Sequence, residues 1–600
     1  MGSAVPATIA ALLALSFLSA VAPVSRWNRR ALALILAALA SAAILALGLL
    51  ALFGGRPITA EAGSVLGFAV VHVRYDPLAG LFLIALGIVG VASSVFGIGD
   101  EAHVSQRGGL DRTRAAYPVF LASLVLVFGA DDAFAFLLAW ELMALSSAVL
   151  VVGARPSPEV ARAGYLYLTL THLATAALVV GFAVLAGTAG STDFAAFGSA
   201  ATTLPPTARS IVFVLLLIGF GTKAGAIPLH VWLPRAHPVA PSHVSALMSG
   251  VMIKAGIYGV IRFGLEILGP GPEWWGLLVL SIGVASAVLG VLYALMEHDL
   301  KRLLAFHSIE NIGIILIGVG VAMLASSAGA PVLAGLALTA ALFHTVNHAM
   351  FKAVLFLAAG SVVAAARTRD LNLLGGLARA MPVTAVAFGI GAAAISGLPP
   401  LNGFASEWLT FQGLIGAGGS ETLSLLARAA ALLAVAGLAL TAALAVACFV
   451  KATGMTFLAL PRGQGAAEAA ETGAAMGAAM AGLAILCIAI GIAAGPVAGV
   501  IAGVAAGPLH LGPVAEGGIA APLAGIAAVY AAAPIALLLA AIAGATWLIG
   551  MRRRTVRRVP TWTGGVVPEP AFEYTATSYA KLIRLYFGPI LRPAREVKVE

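Results

Sequence analysis

Uninterrupted apolar runs of about twenty residues, parted by short polar breaks, recur from near residue 6 to near residue 550. A helix rising 1.5 Å per residue needs about that length to cross ~30 Å of hydrocarbon. The pattern predicts about fifteen spans, centred near residues 14, 42, 88, 122, 143, 175, 219, 252, 285, 313, 347, 395, 437, 483 and 538. The Gly-, Ala- and Pro-rich stretch 494–526 leaves room for a further short or re-entrant segment. The first run lacks a basic leader, so it reads as a retained helix and not as a cleaved signal.

Two spans carry proline breaks at related places, Gly221-Thr-Lys-Ala-Gly-Ala-Ile-Pro228 and Ser396-Gly-Leu-Pro399-Pro400-Leu-Asn-Gly403. Proline frees main-chain carbonyls, which a membrane tolerates only inside protein or beside a wet cavity. A matched pair about 170 residues apart points to an internal inverted repeat centred on the breaks. Frequent Pro and Gly in membrane helices is the plainer explanation for either break alone.

Composition agrees with the pattern. Hydrophobic residues make up 61% of the chain and charged residues 10%, with a mean hydropathy of +1.03, which excludes a water-soluble globule. The net charge of +9 does not call for nucleic acid, because the basic residues lie in loops and the tail. Arg26, Arg29 and Arg30 follow the first span, Arg107, Arg112 and Arg114 the third, and Arg155 the fifth; Lys301 and Arg302, Arg367 and Arg369, and Arg462 follow later odd spans. Positive-inside bias therefore predicts an external N-terminus and a cytoplasmic tail beginning near Arg552-Arg553-Arg554. Only Cys448 and Cys487 are present, too few for a disulfide framework or a thiolate cluster.

Ionisable side chains inside the spans carry the chemistry, since each costs at least ~2.5–3.5 kcal/mol at the bilayer centre. They are Glu141, Lys223, Lys254, His344, His348, Lys352 and Glu407, with His172, His230, His307 and Glu310 as accessory candidates. Spacings of four place His344, His348 and Lys352 within roughly 80° of arc and ~12 Å of one helix face. Imidazole passes protons between neighbours, and a desolvated amine gives its proton up readily. The set can therefore form a gated proton relay. His344 and His348 also have zinc-ligand spacing, but no third ligand follows and no metal is expected. A single buried Glu or Lys could instead be a structural ion pair. His230, Trp232, Arg235, His237 and His243 read mainly as interfacial anchors, and Asp131-Asp132 and Asp299 as solvated turns. No phosphate-binding, dinucleotide, nucleophile or haem motif occurs, so no catalytic centre or cofactor of its own is expected.

Leu138-Ala-Trp-Glu141-Leu-Met, Gly221 to Pro234, Asp299-Leu-Lys-Arg-Leu-Leu-Ala-Phe-His-Ser-Ile-Glu-Asn311, His344 to Gly360 and Gly397 to Phe404 together resemble the antiporter-like membrane subunits. That family is shared by respiratory complex I, Mrp-type cation/proton antiporters and energy-converting hydrogenases. His307-Ser-Ile-Glu-Asn311 and the tail from Thr561 to Ser578 look most like its hydrogenase-4 component B and formate hydrogenlyase group. The resemblance implies an all-α polytopic membrane protein with a fourteen-helix core and two inverted five-helix repeats. The corresponding division is 1–114 (helices 1–3 and a loop), 115–265 (first repeat), 266–460 (second repeat), 461–550 (C-terminal helices) and 551–600 (basic tail). It implies an input ion pair of Glu141 and Lys223, a mid-membrane relay at Lys254, connecting residues His344, His348 and Lys352, and an exit at Glu407. The expected partners are other membrane and soluble subunits of a redox complex, together with the lipid bilayer. The leading expectation is a proton-translocating subunit of the plasma membrane, driven by redox chemistry in those partners. The alternative is the large subunit of a multi-subunit Na⁺/H⁺ antiporter.

Overall fold

The computed structural model describes residues 4–21, 26–65, 69–104, 111–153, 157–511, 532–552, 559, 562, 564–566 and 569–591. Arg107, Arg155, Arg553 and Arg554, used above for orientation, lie outside the described residues, as does the stretch 512–526.

The chain opens with α1 (Ala4–Val21) and α2 (Arg26–Phe53), followed by a hairpin of β1 (Ile58–Val65) and β2 (Ala69–Tyr75). Next come α3 (Pro77–Val104), α4 (Asp111–Gly129), α5 (Ala133–Val152) and α6 (Pro158–Ala189). A short α7 (Phe194–Thr203) precedes the interrupted pair α8 (Pro206–Ala224) and α9 (Leu233–Val239). The span α10 (Ser242–Ile267) leads to α11 (Glu273–Met296), α12 (Leu300–Ser327) and α13 (Pro331–Ala366). The second interrupted pair is α14 (Pro382–Ile395) and α15 (Asn402–Gly419). The chain then runs through α16 (Leu425–Phe457), α17 (Ala474–Ile492), α18 (Ala494–Ala506), α19 (Ala532–Arg552) and the tail helix α20 (Ala576–Tyr586). Among the described residues, twelve helices are long and apolar enough to cross a membrane. The protein is a multi-pass helical membrane protein.

The hairpin departs from an all-helical reading. Val71, Val73 and Tyr75 are buried while His72 and Arg74 between them are exposed, the period-two alternation of a half-buried strand. Helices begin where short acids cap them. Asp132 is buried and accepts from Ala135 N–H (2.8 Å), and Asp299 accepts from Lys301 and Arg302 N–H (2.9 and 3.0 Å). Neither is merely a solvated turn; each satisfies the orphan donors of a helix start.

Main-chain contacts define two faces. On the hairpin face, Asp131 N–H donates to His72 O, Arg209 donates to Pro270 O (2.9 Å), and His510 lies 3.0 Å from Glu266 O. On the opposite, tail face, Leu371 N–H donates to His298 O, Arg369 pairs with Asp299 (3.0 Å), and Arg462 pairs with Glu573 of the tail (3.4 Å). These anchors make the two interrupted helices cross in opposite directions: α8–α9 runs towards the tail face and α14–α15 towards the hairpin face.

Hydrogen bonds close the first break, and tight backbone contact marks the second. Gly225 adopts φ +77° after α8, Trp232 Nε1–H donates to Thr222 O (2.8 Å), and Ile227 N–H donates to Ser286 Oγ (3.0 Å). After α14, Gly397 takes φ +62°, and a Cβ on Gly403 would lie 1.8 Å from Ala394 O. Trp232, His237 and His243 are buried, not interfacial, because the break folds back into the bundle.

Close helix packing holds α11 to α12. Gly276, Gly283 and Gly290 recur every seven residues and meet Gly320, Gly313 and the Glu310 backbone in turn. A Cβ on Gly313 would lie 2.4 Å from Ala287 N, and one on Gly283 2.7 Å from Ile317 N. Small residues permit this backbone approach, which stabilises helix pairs where lipid offers no hydrophobic drive. Gly313→Ala is therefore expected to cost about 1–3 kcal/mol as overpacking, lowering the thermal unfolding midpoint in detergent. Gly389→Ala, which meets open space, is the control, and equal midpoints would contradict the packing.

Candidate functional site: a buried polar line between the two helix breaks

Backbone irregularity in α10 creates the first seat. Met248–Met252 and Val260–Ile267 are π-helical, with ordinary α-helix over Ile253–Gly259 between them. The wider turns shift the carbonyl ladder, as π-segments at functional sites do. The Lys254 ammonium, buried in this span, donates to Ser249 O. Ser249 Oγ in turn lies 2.7 Å from Ser308 Oγ on α12. Ser308 donates to Leu304 O (3.1 Å), and Lys352 Nζ of α13 donates to the same oxygen (2.9 Å). The Ser249–Ser308 hydroxyl pair thus lies between the two seats, while each amine is held by a main-chain carbonyl.

A second branch continues towards the other break. Glu310 contacts the His307 ring and accepts from Asn311 Nδ2 (3.3 Å). Asn311 Oδ1 is 3.1 Å from His344 Nε2, and His344 Nδ1 is 2.9 Å from Ser406 Oγ. Because the Asn311 amide nitrogen donates to His307 O (2.8 Å), its oxygen accepts from Nε2–H. That leaves Nδ1 to accept from the Ser406 hydroxyl. Asn347 then donates to Ser406 Oγ (3.0 Å) and to Asn402 O (2.7 Å) at the start of α15. Glu407 is buried beside this end, and its Oε2 would lie 2.7 Å from a Cβ on Gly397. His348 is fully buried, and neither ring nitrogen makes a hydrogen bond among the described residues.

Four of the buried amines share one kind of acceptor. Lys254 and Lys352 sit on main-chain carbonyls, and so do Lys301 (on Ala240 O, 2.5 Å) and Lys451 (on Leu295 O and Glu297 O, both 2.7 Å). A carbonyl can accept from an ammonium and, more weakly, from a neutral amine, whereas a carboxylate partner favours the charged form more strongly.

The structure separates the expected input pair. Glu141 faces His172, Nε2 to Oε2 3.5 Å, with side chains 29% and 52% exposed. Lys223 instead donates to Tyr167 Oη (3.0 Å) and lies over the Trp140 and Tyr167 rings. Among the described residues no ion pair joins Glu141 to Lys223. The cause is rotational: Trp140 and Glu141 are neighbours on α5, so one points into the bundle while the other points out. His230 is half-buried, its ring 6.5 Å from that of Tyr293. The accessory candidates His307 and Glu310 are fully interior.

Sequence reasoning missed Tyr167, Ser249, Ser308, Asn311, Asn347, Asn402 and Ser406. Neutral hydroxyls and amides are common in membrane helices, so none stands out alone. The register that sets Ser249 and Lys254 five apart, one π-turn, was the available signal.

Comparison with known proteins gives the chain its family and its fold. Residues 130–434 match the family described as NADH:quinone oxidoreductase/Mrp antiporter, TM. Hydrogenase-4 component B of Escherichia coli K12 is 43% identical over 424 residues, 70% of this chain and 62% of that one. Formate hydrogenlyase subunit 3 of the same strain is 38% identical over 391 residues, 65% of this chain and 62% of that one. The chain thus spans about six-tenths of the length of these curated relatives. The fold is shared with a chain of the archaeal membrane-bound sulfane sulfur reductase, with a TM-score of 0.76 at 23% identity over 97% of this chain and 92% of that one. By the match across half its length, the chain belongs to the NADH:quinone oxidoreductase/Mrp antiporter transmembrane family.

Proposed function

We propose that this chain is the proton-translocating membrane subunit of a membrane-bound oxidoreductase complex, hydrogenase-like or complex I-like. Redox chemistry in partner subunits supplies the energy, and this chain supplies the path without a cofactor of its own. The reading rests above all on Lys254 and Lys352, buried amines of two helices seated on Ser249 O and Leu304 O, with the Ser249–Ser308 hydroxyl pair lying between those seats. The branch Glu310–Asn311–His344–Ser406 runs on to the second break, where Glu407 is buried. Its similarity to hydrogenase-4 component B favours redox partners over a stand-alone antiporter. Lys223, on Tyr167, and Glu141, on His172, form the input end, and their separation is the gate: loading Lys223 requires a carboxylate or a proton to approach it. The basic residues beside the tail-face loops favour a cytoplasmic tail and an external N-terminus.

Lys223→Ala and Glu141→Ala are each expected to abolish coupled proton release while subunit assembly stays intact. Normal release on electron transfer in both variants would overturn the scheme. Ser249→Ala combined with Ser308→Ala removes the hydroxyl link, worth about 1–1.5 kcal/mol per hydrogen bond. It is expected to slow pumping roughly tenfold while leaving electron transfer in the partners; unchanged pumping would contradict the route. Purification of the native complex is expected to yield a hydrogenase-like or quinone-linked large subunit. Recovery of small cation-antiporter subunits instead would reassign it.

A further inference from the structure

A charged pocket of about 570 Å³ opens on the hairpin face. Arg74 and Asp76 from the hairpin end, Asp131 after α4, Arg209 of α8, Glu266 of α10 and His510 line it, and Tyr258 and Arg262 form its floor. Arg262 is forked between Asp76 (2.7 Å) and Glu266 (2.7 Å), and its Nε–H donates to Tyr258 Oη (3.2 Å). Burial pushes the Asp76 carboxyl up, but Arg262 outweighs it and holds Asp76 below the usual carboxylate range. That ionic cluster is fixed.

Lys254, Tyr258, Arg262 and Glu266 are spaced four apart on α10, so they climb one helix face from mid-membrane to the pocket. Lys254 also borders a cavity of about 10 Å³ with Phe82, Gly250 and Thr345, room on the order of one water. Between the two spaces stands a single layer of rings. Phe82, Phe128 and Tyr258 have centroids 5.2–5.3 Å apart, and Tyr258 Oη–H donates to Phe128 O (3.0 Å). The Ile253–Gly259 segment carrying both Lys254 and Tyr258 is flanked by π-helix at each end, a place where helix register can change. Gly256 seats this segment on α8, where a Cβ would lie 2.4 Å from Phe220 O and 2.7 Å from Ala224 N, next to Lys223.

We infer that the pocket is an aqueous vestibule through which Lys254 exchanges protons with the hairpin side, closed at rest by the Phe82–Phe128–Tyr258 layer. Rotation of the Ile253–Gly259 turn opens it. The ammonium then passes one proton to water, leaving the neutral amine on Ser249 O, and no other bond changes. Movement of α8 at Lys223 is transmitted through the Gly256 contact. The first half of the chain thereby has its own opening, separate from the end at Glu407. The inference rests on the relay reading of Lys254, but its test does not.

The test uses the full chain in liposomes, with Cys448→Ser and Cys487→Ser as background and a membrane-impermeant cationic methanethiosulfonate as probe. Thr202→Cys, on the vestibule wall, is expected to react from the hairpin side in every variant. Thr345→Cys, beside Lys254, is expected to be protected until Phe82→Ala or Phe128→Ala is added, and then to react from that side only. Either truncation should also raise passive proton leak roughly tenfold, the change for about 1.4 kcal/mol of lost closure, and Lys254→Met should cancel that leak. The two truncations are made separately and checked by thermal unfolding, so one folding failure leaves the other. Continued protection of Thr345→Cys, or a leak indifferent to Lys254→Met, overturns the vestibule. Loss or retention of driven pumping in Lys254→Met alone reports on the relay.

Discussion

In a hydrocarbon layer a buried amine must find an acceptor within the protein, and the kind of acceptor decides whether its charge is permanent. Here Lys254, Lys352, Lys301 and Lys451 rest on main-chain carbonyls, whereas Arg262 is clamped by two carboxylates. The clamped cation is a fixed strut on the hairpin face. Lys254 and Lys352 keep an acceptor in either protonation state, and neither is locked in a carboxylate fork like that of Arg262. The kind of acceptor therefore sets the carboxylate-clamped Arg262 apart from the carbonyl-seated amines within one bundle.

The helix irregularities follow from that need. An ideal helix uses one lone pair of each carbonyl for its own ladder; Leu304 O inside α12 takes Lys352 on the other, while the remaining seats lie at a π-turn or a helix end. Ser249 O lies in a π-segment, Leu295 O and Glu297 O close α11, and Ala240 O ends α9. The two interruptions are closed by Trp232 and by the Asn347–Asn402 pair. The glycine-lined approach of α11 to α12 brings the Glu310 backbone against Gly290. Tight packing and exposed carbonyls are thus complementary: one fixes the distances that the other uses.

Much of the fold was legible because apolar run length, proline breaks and interior charges are strong signals. Lys254, Lys352, His344 and Glu407 are buried where their placement in apolar runs implied. The hairpin was less legible, since seven-residue alternation is faint beside twenty-residue runs. Glu141 and Lys223 show a different limit: side-chain direction depends on helix rotation, and one residue of phase separates Glu141 from Trp140. Trp232 and His237 misread as interfacial because sequence places them in a loop, and only the fold reveals that this loop returns to the interior. The serine and amide links are invisible singly and acquire meaning from register across helices.

The claim that Lys254 and Lys352 work by losing and regaining a proton is tested most directly by replacing each with arginine, a cation that stays charged. Proton translocation per electron is then measured in the reconstituted complex. Lys254→Arg and Lys352→Arg should assemble and permit electron transfer, yet translocate almost no protons. Arginine variants that pump at the parental ratio would show that a permanent charge suffices, and would contradict the account.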